Sequence, residues 1–337
     1  MKRSLTVAAL ATVATTSVFA QSNVTIYGRL NASVERQKQV SVVDLGEGGL
    51  GVSESNVWAL QNSASRIGFK GTEDLGGGLK AGFQIEHGFN VDTGAATGGA
   101  AGFWGRQAEV NLGSTAWGTI RLGRFTSEAY FATADYVSMH NHDTGTSADA
   151  LYAYIGRNSN KVAYRTPELV KGLSLEGAFS LKESTVDGTF NTYDFAANYD
   201  AGPLHLGFGY EKADFAKQFA IRALYEMGAF TFGGYIQRDT DAWLGQDSGS
   251  RTNIRLSAMY TMGPSEFHLN IGRAGKIGDI DGTEATQATV GYNYNLSKRT
   301  KVYAFYTKLG GDGADGYATL VNGGVKNSFA LGVRHNF

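Results

Sequence analysis

The chain contains no cysteine, which excludes a disulfide framework, a thiolate metal site and a cysteine nucleophile. Proline is almost missing, three in 337 residues. Such scarcity suits a chain of continuous β-ladders, because proline has no N–H to donate to a sheet. Beyond the N-terminal segment no apolar run is long enough to span a membrane as a helix. Positive charge is not in excess either, with 30 basic against 31 acidic residues, so the basic surface that nucleic-acid binding needs is lacking. No G-x-S-x-G elbow and no Walker-type phosphate loop occurs. If the protein resides in a membrane, it must be a closed barrel, since lipid cannot satisfy the polar backbone of an open sheet.

The N-terminus points to export. Lys2 and Arg3 precede an uncharged apolar stretch at residues 5–13, and Ser17-Val18-Phe19-Ala20 offers small residues at a cleavage point. This is the pattern of a secretory signal peptide. We expect residues 1–20 to be removed and residues 21–337 to form one barrel domain. The remaining 337 − 20 = 317 residues carry 28 basic and 31 acidic side chains, a net −3.

Glycine is abundant (46), and Tyr and Phe number 17 and 19. Apolar residues recur with period two, the mark of a strand with one greasy face. Val24, Ile26, Leu30 and Val34 alternate with Thr25, Tyr27, Arg29, Asn31 and Ser33. The same pattern returns at Phe83 and Ile85, at Phe219 and Ile221, at Leu256 and Tyr260, and in the last segment at Phe329, Leu331, Val333 and Phe337. Tight turns such as Asp200-Ala201-Gly202-Pro203 and Gly263-Pro264-Ser265 alternate with longer polar segments near 35–57, 92–102, 125–150, 182–189, 238–251, 275–285 and 310–326. Short turns at one rim and long loops at the other describe an all-β, transmembrane, antiparallel outer-membrane barrel. Sixteen strands are expected, centred near residues 29, 65, 84, 108, 121, 162, 177, 195, 208, 221, 233, 257, 270, 291, 305 and 332. A barrel of that size encloses water, which explains the polar alternate face.

Several stretches then resemble the Gram-negative general diffusion porins. They are Asn23-Val24-Thr25-Ile26-Tyr27-Gly28, the run Ser65-Arg66-Ile67-Gly68-Phe69-Lys70-Gly71-Thr72-Glu73-Asp74-Leu75-Gly76-Gly77, the segments at 118–124 and 291–300, and the terminal Gly332-Val333-Arg334-His335-Asn336-Phe337. The resemblance covers the mature chain end to end. It implies a homotrimer of sixteen-stranded barrels, a third loop folded into each lumen, and a constriction where wall bases face loop acids. Matched motif by motif, it assigns Arg29, Arg66, Arg106 and Arg157 to the basic wall and Asp135 to the loop, with Asp143 in place of a second acid. Expected partners are small hydrophilic solutes and ions, outer-membrane lipid and lipopolysaccharide, and the barrel-insertion machinery during assembly. Phe337, an aromatic residue at the very end of the chain, is the expected assembly signal. No cofactor, metal or catalytic residue is expected.

Some features fit less well. Around Arg106, Ala108, Val110 and Leu112 share its parity while Gln107, Glu109 and Asn111 oppose them, so a strict reading puts one charge on the lipid side. We expect that strand to face another subunit, and Arg121 and Arg124 to be subunit-contact or structural residues. His140 and His142 beside Asp143 lack a third zinc ligand. The segment at 278–284 lacks the full twelve-residue ligand pattern of a calcium loop. Three rivals to passive diffusion are a sugar-selective porin, an outer-membrane hydrolase and a surface adhesin. The first needs lumenal aromatics, whereas most Tyr and Phe lie on the lipid parity; the second needs a Ser–His pair on one barrel face; the third needs larger loops.

Overall fold

Successive side chains of a strand point to opposite faces, so strands patterned as above build a sheet with one apolar and one polar surface. The computed structural model describes residues 23–46, 49–97, 102–134, 144–155, 157–185 and 190–337. Among them seventeen segments pair antiparallel: β1 (Asn23–Gly46), β2 (Gly49–Asn62), β3 (Arg66–Gly76), β4 (Leu79–Gly88), β5 (Gln107–Ser114), β6 (Gly118–Thr126), β7 (Arg157–Arg165), β8 (Leu173–Ser180), β9 (Thr192–Ala201), β10 (Leu204–Ala213), β11 (Ala216–Met227), β12 (Phe230–Thr240), β13 (Ser250–Met262), β14 (Ser265–Ala274), β15 (Ala285–Asn295), β16 (Thr300–Gly310) and β17 (Val325–Asn336). Two of them are halves of one wall strand. Ser63-Ala64-Ser65, with Ala64 at φ +52°, separates β2 from β3, and both halves pair with the long β1. The barrel therefore has sixteen staves, and each lies over one of the sixteen centres expected.

Closure runs through the chain ends. β17 pairs with β1, Asn336 opposite Arg29 and Ser328 opposite Gln37. Gly28 and Phe337 then exchange two backbone hydrogen bonds of 3.0 and 3.1 Å. Glycine is required at position 28, since a Cβ there would stand 2.3 Å from the Phe337 ring.

The outer surface is apolar: Leu256, Ile271, Val290 and Leu331 are exposed, while inward-facing Arg255, Asn270, Thr289 and Ala330 are buried. This inversion of the soluble-protein pattern is what a lipid-facing barrel shows.

One expected loop is strand. Within residues 35–57, β1 and β2 continue as a hairpin, with Gln37 opposite Val57 and Val42 opposite Val52. Period two is weak there because outward Arg36 and Lys38 sit among the polar inward residues, so neither face reads as apolar. The expected loop at 310–326 holds a helix, α2 (Ala314–Val321), after a first helix α1 (Glu128–Thr133) between β6 and β7. α2 buries Ala314, Tyr317 and Ala318 against Val40, Leu151 and Leu309.

Candidate functional site in the lumen

The segment between β6 and β7 turns into the barrel, and the sequence shows how. The Ser127 side chain caps α1 by accepting from the Tyr130 N–H at 3.2 Å, satisfying a donor the helix itself leaves open. Ala129 and Ala132 face the wall, where β10 presents Gly207 and Gly209. A Cβ on Gly207 would lie 1.9 Å from the Ala132 carbonyl oxygen, and one on Gly209 2.6 Å from that of Ala129. The helix thus rests on bare backbone.

The returning segment, residues 144–155, is tied to the opposite side of the lumen. Thr146 Oγ1 donates to Glu35 Oε2 at 2.8 Å. Gln287 donates to the Ala148 carbonyl at 2.9 Å and accepts from the Ala150 N–H at 3.1 Å. Asp149 accepts from Arg255 Nη2 at 2.6 Å and from the Tyr235 hydroxyl. Gln237 holds Ala153 by both its backbone groups, at 2.8 and 3.1 Å. Fully buried Arg251 donates to the Leu151 carbonyl at 2.7 Å, to Asp239 at 2.9 Å and to the Tyr317 hydroxyl at 2.7 Å. That one side chain joins the wall, the inner loop and α2. These wall residues lie on the polar parity of β1, β12, β13 and β15, so the face read as wet also satisfies the backbone of a buried loop.

Charges line the wall from β1 through β3–β8. Arg29 stands opposite Arg66 and its Nε donates to Asn336 Oδ1 at 3.0 Å. Arg66 Nε lies 3.7 Å from Glu86, and Arg106 Nε donates to the same carboxylate at 2.6 Å. Tyr27 also donates to Glu86, at 3.1 Å, and accepts from Gln84 at 2.6 Å. Next along the wall, Arg121 meets Glu109 at 2.7 Å and Glu176 at 3.2 Å. Arg165 meets Glu176 at 2.8 Å and also pairs with Glu128 of α1. The carboxylates of these pairs are largely buried, so removing one partner would leave an uncompensated charge; together they hold the guanidinium planes in fixed positions along the wall.

Arg29 and Arg66 are therefore brought onto neighbouring strands, with Arg106, just before β5, joined to them through Glu86. Of Arg157, only its backbone place is described, first in β7 and opposite Thr126. Asp135 and Asp143, with His140 and His142, lie outside the described residues.

Three expectations change. The alternation of β5 is regular: Val110 and Leu112 point out, and Glu109 points in to Arg121. Arg106 stands just before that strand, where strand parity no longer applies, and bends inward to Glu86. The pattern of β5 is thus unbroken and gives by itself no reason for this strand to face a subunit. Arg121, expected to be a subunit-contact or structural residue, faces inward to Glu109 and Glu176. Acids are not confined to the loop either, since Glu86 and Glu109 stand among the wall arginines. Their signal was present in the sequence: Glu86 shares the polar parity of Lys80 and Gln84, and only the register placed it beside Arg66.

Aromatic rings also occur inside. Tyr130 meets Tyr154 at 4.7 Å and Tyr152 at 5.8 Å, and Tyr152 meets Tyr235 at 5.4 Å. Tyr152 and Tyr235 are buried, so this cluster is packing between loop and wall. In the segment at 278–284, Lys276 pairs with Asp281 and holds that carboxyl below its ordinary range.

A barrel with a wet, charge-lined lumen and an inward loop has counterparts among known proteins. Residues 5–314 match the profile of the Gram-negative porins. The chain belongs to that family. It is 29% identical to outer membrane porin protein 32 of Delftia acidovorans and 27% identical to an outer membrane porin protein of Bordetella pertussis, each match covering both chains completely. Among solved structures, the anion-selective porin from Comamonas acidovorans superposes with a TM-score of 0.70 at 26% identity, over 94% of this chain and all of that one. Salmonella typhi OmpF shares the fold, with a TM-score of 0.68 at 17% identity over 93% and 97% of the two chains. This porin resides in the outer membrane and forms a water-filled channel for passive diffusion of small hydrophilic solutes. It is not an enzyme.

Proposed function

We propose that the diffusion channel is modestly anion-preferring, and that Arg29, Arg66, Arg106 and Arg157 form one side of its constriction, opposite Asp135 and Asp143. The observation that carries this reading is the gathering of Arg29, Arg66 and Arg106 on one stretch of wall. Glu86 and Glu109 among them keep the preference modest. A selective field acts on the solute because the lumen is narrow and its walls have low dielectric. The 26% identity to an anion-selective porin supports the same sign. Planar bilayers test it directly: open, ohmic steps with a zero-current potential displaced towards anions in a salt gradient are expected. A cation-selective channel would overturn the preference, and an absence of steps would overturn the pore itself.

The reading extends to assembly. We propose that residues 1–20 are cleaved on export and that the mature chain forms a homotrimer through strands near both chain ends. The outer groove there, of about 550 Å³, is lined by Ala32, Ala304 and Gly332 beside Val34, Leu60 and Leu331. Small side chains of this kind let a second chain approach closely. Unheated gels should show a trimer and inserted channels should close in groups of three; a monomer in mild detergent by light scattering would count against it.

Phe337 is proposed as the signal read by the insertion machinery. Deleting it removes the two backbone hydrogen bonds to Gly28 at the end of the seam and the ring over Gly28. The yield of heat-modifiable folded protein should fall severalfold, with export intact. Unchanged folded yield in the deletion strain would remove Phe337 from this role.

A further inference from the structure

The inner aromatic cluster has a buried side, Tyr152 and Tyr235, and a wet side. Tyr154, near the end of the returning segment, keeps 45% of its surface exposed, and Tyr130 and Phe131 of α1 are half-buried. α1 and the returning segment both lie inside the barrel, so the water these rings meet is that of the lumen. They form one group. The ring centre of Tyr130 lies 4.7 Å from that of Tyr154, the planes tilted by 56°, and 5.9 Å from that of Phe131. Their backbones are held in place: Ser127 caps α1, and Gln237 bonds both backbone groups of Ala153, next to Tyr154.

Barrel topology sets this group against the arginines. α1 packs on β9, β10 and β11. With β2 and β3 counted as one stave, β10 is the ninth of sixteen, half the circumference from β1. Arg29 on β1 and Arg66 on β3 therefore stand across the lumen from the rings. A solute between them meets guanidinium groups on one side and π-systems on the other. Small inorganic anions use only the first, and neutral apolar molecules only the second. A cation is drawn to the ring faces but is opposed by the arginines. An anion that carries an aromatic ring engages both sides, its charged group towards the wall and its ring offset-stacked or edge-on against a tyrosine.

We propose that the channel favours small aromatic anions, arenesulfonates and arenecarboxylates, over aliphatic anions of equal charge and size, with Tyr154 and Tyr130 as the discriminating residues. The proposal rests on the reading of the arginine wall as one side of the constriction and adds its solute class. Ring contacts exposed to water are weak, which suits a channel, because a solute must leave its site as well as enter it.

Planar bilayers carrying chloride current provide the test, with benzenesulfonate and cyclohexanesulfonate as probes of equal charge and similar size. Both should reduce the current, benzenesulfonate at about threefold lower concentration, the advantage of one aromatic pairing. Tyr154→Leu should bring the two half-blocking concentrations together, and Tyr154→Phe should keep them apart. Tyr130→Leu should narrow the gap and takes the place of Tyr154→Leu if that variant fails to fold. Arg66→Gln should weaken both probes alike and leave their ratio. Equal half-blocking concentrations in the wild type, or a wild-type ratio in the folded leucine variant, would overturn the proposal. So would a ratio lost in Arg66→Gln alone, which would place the stacking on the guanidinium. The zero-current potential in a chloride gradient reports on the wall separately. A cation-selective channel would refute the arginine reading, whereas an anion-selective channel that treats the two probes alike refutes only the role of the rings.

Discussion

Replacing Arg66 with glutamate is expected to move the zero-current potential towards cations, and replacing Glu86 with glutamine to move it towards anions. The opposite signs follow from one contact. Glu86 receives Arg106 at 2.6 Å and lies 3.7 Å from Arg66, so it cancels part of the field those arginines cast into the lumen. Arg66→Glu changes the wall by two charges and Glu86→Gln by one. For an ion about 8 Å away in a water-like medium, each unit charge amounts to about 0.5 kcal/mol, so the reversal approaches about 1 kcal/mol, or about fivefold in local anion concentration. Salt screens this within about 8 Å at physiological strength, and the shifts should be largest in dilute salt. Arg66→Ala should fall between the wild type and Arg66→Glu. Reversal potentials identical to wild type in all three variants would remove this cluster from the constriction. A shift of the same sign in Arg66→Glu and Glu86→Gln would show that the effect is structural rather than electrostatic.

Gly207→Leu is expected to lower the unitary conductance and slow the entry of larger solutes. Position 207 touches α1 through backbone alone, and an added Cβ would stand 1.9 Å from the Ala132 carbonyl oxygen. Overpacking of this kind costs about 1–3 kcal/mol, and one partner must move. β10 is bonded on both sides, to β9 and β11, whereas α1 is six residues long. The helix therefore yields. It has lumen on its other side, and the returning segment stays anchored through Asp149 and Gln237, so it is displaced towards the pore axis. Gly177→Val serves as the control, because no atom lies within 4 Å of a Cβ there. Wild-type conductance and liposome-swelling rates in a folded Gly207→Leu protein would refute this account of how the loop is held.

The sequence by itself determined that this is an exported, closed, sixteen-stranded barrel with a wet interior. Each strand carries its own proof, because period-two alternation such as Ile254, Leu256, Ala258 and Tyr260 is a local property that needs no partner. Repeated along the chain and punctuated by turn residues, it excludes other solutions. The same alternation failed in residues 35–57, where outward Arg36 and Lys38 leave neither face apolar, and it could not orient Arg106, which stands outside its strand.

The tertiary structure alone decided which charges meet. Glu86 and Arg106 are separated by twenty residues, and Arg121 and Glu176 by 55; strand register, a long-range property, sets both pairings. It also decided why certain polar positions are polar. Gln237, Asn253, Arg255 and Gln287 read as wall residues facing water, yet in the fold they hydrogen-bond an inner segment that no local pattern places inside the barrel. Gly207 is the plainest case: only the approach of α1 from a distant part of the chain makes a side chain there clash.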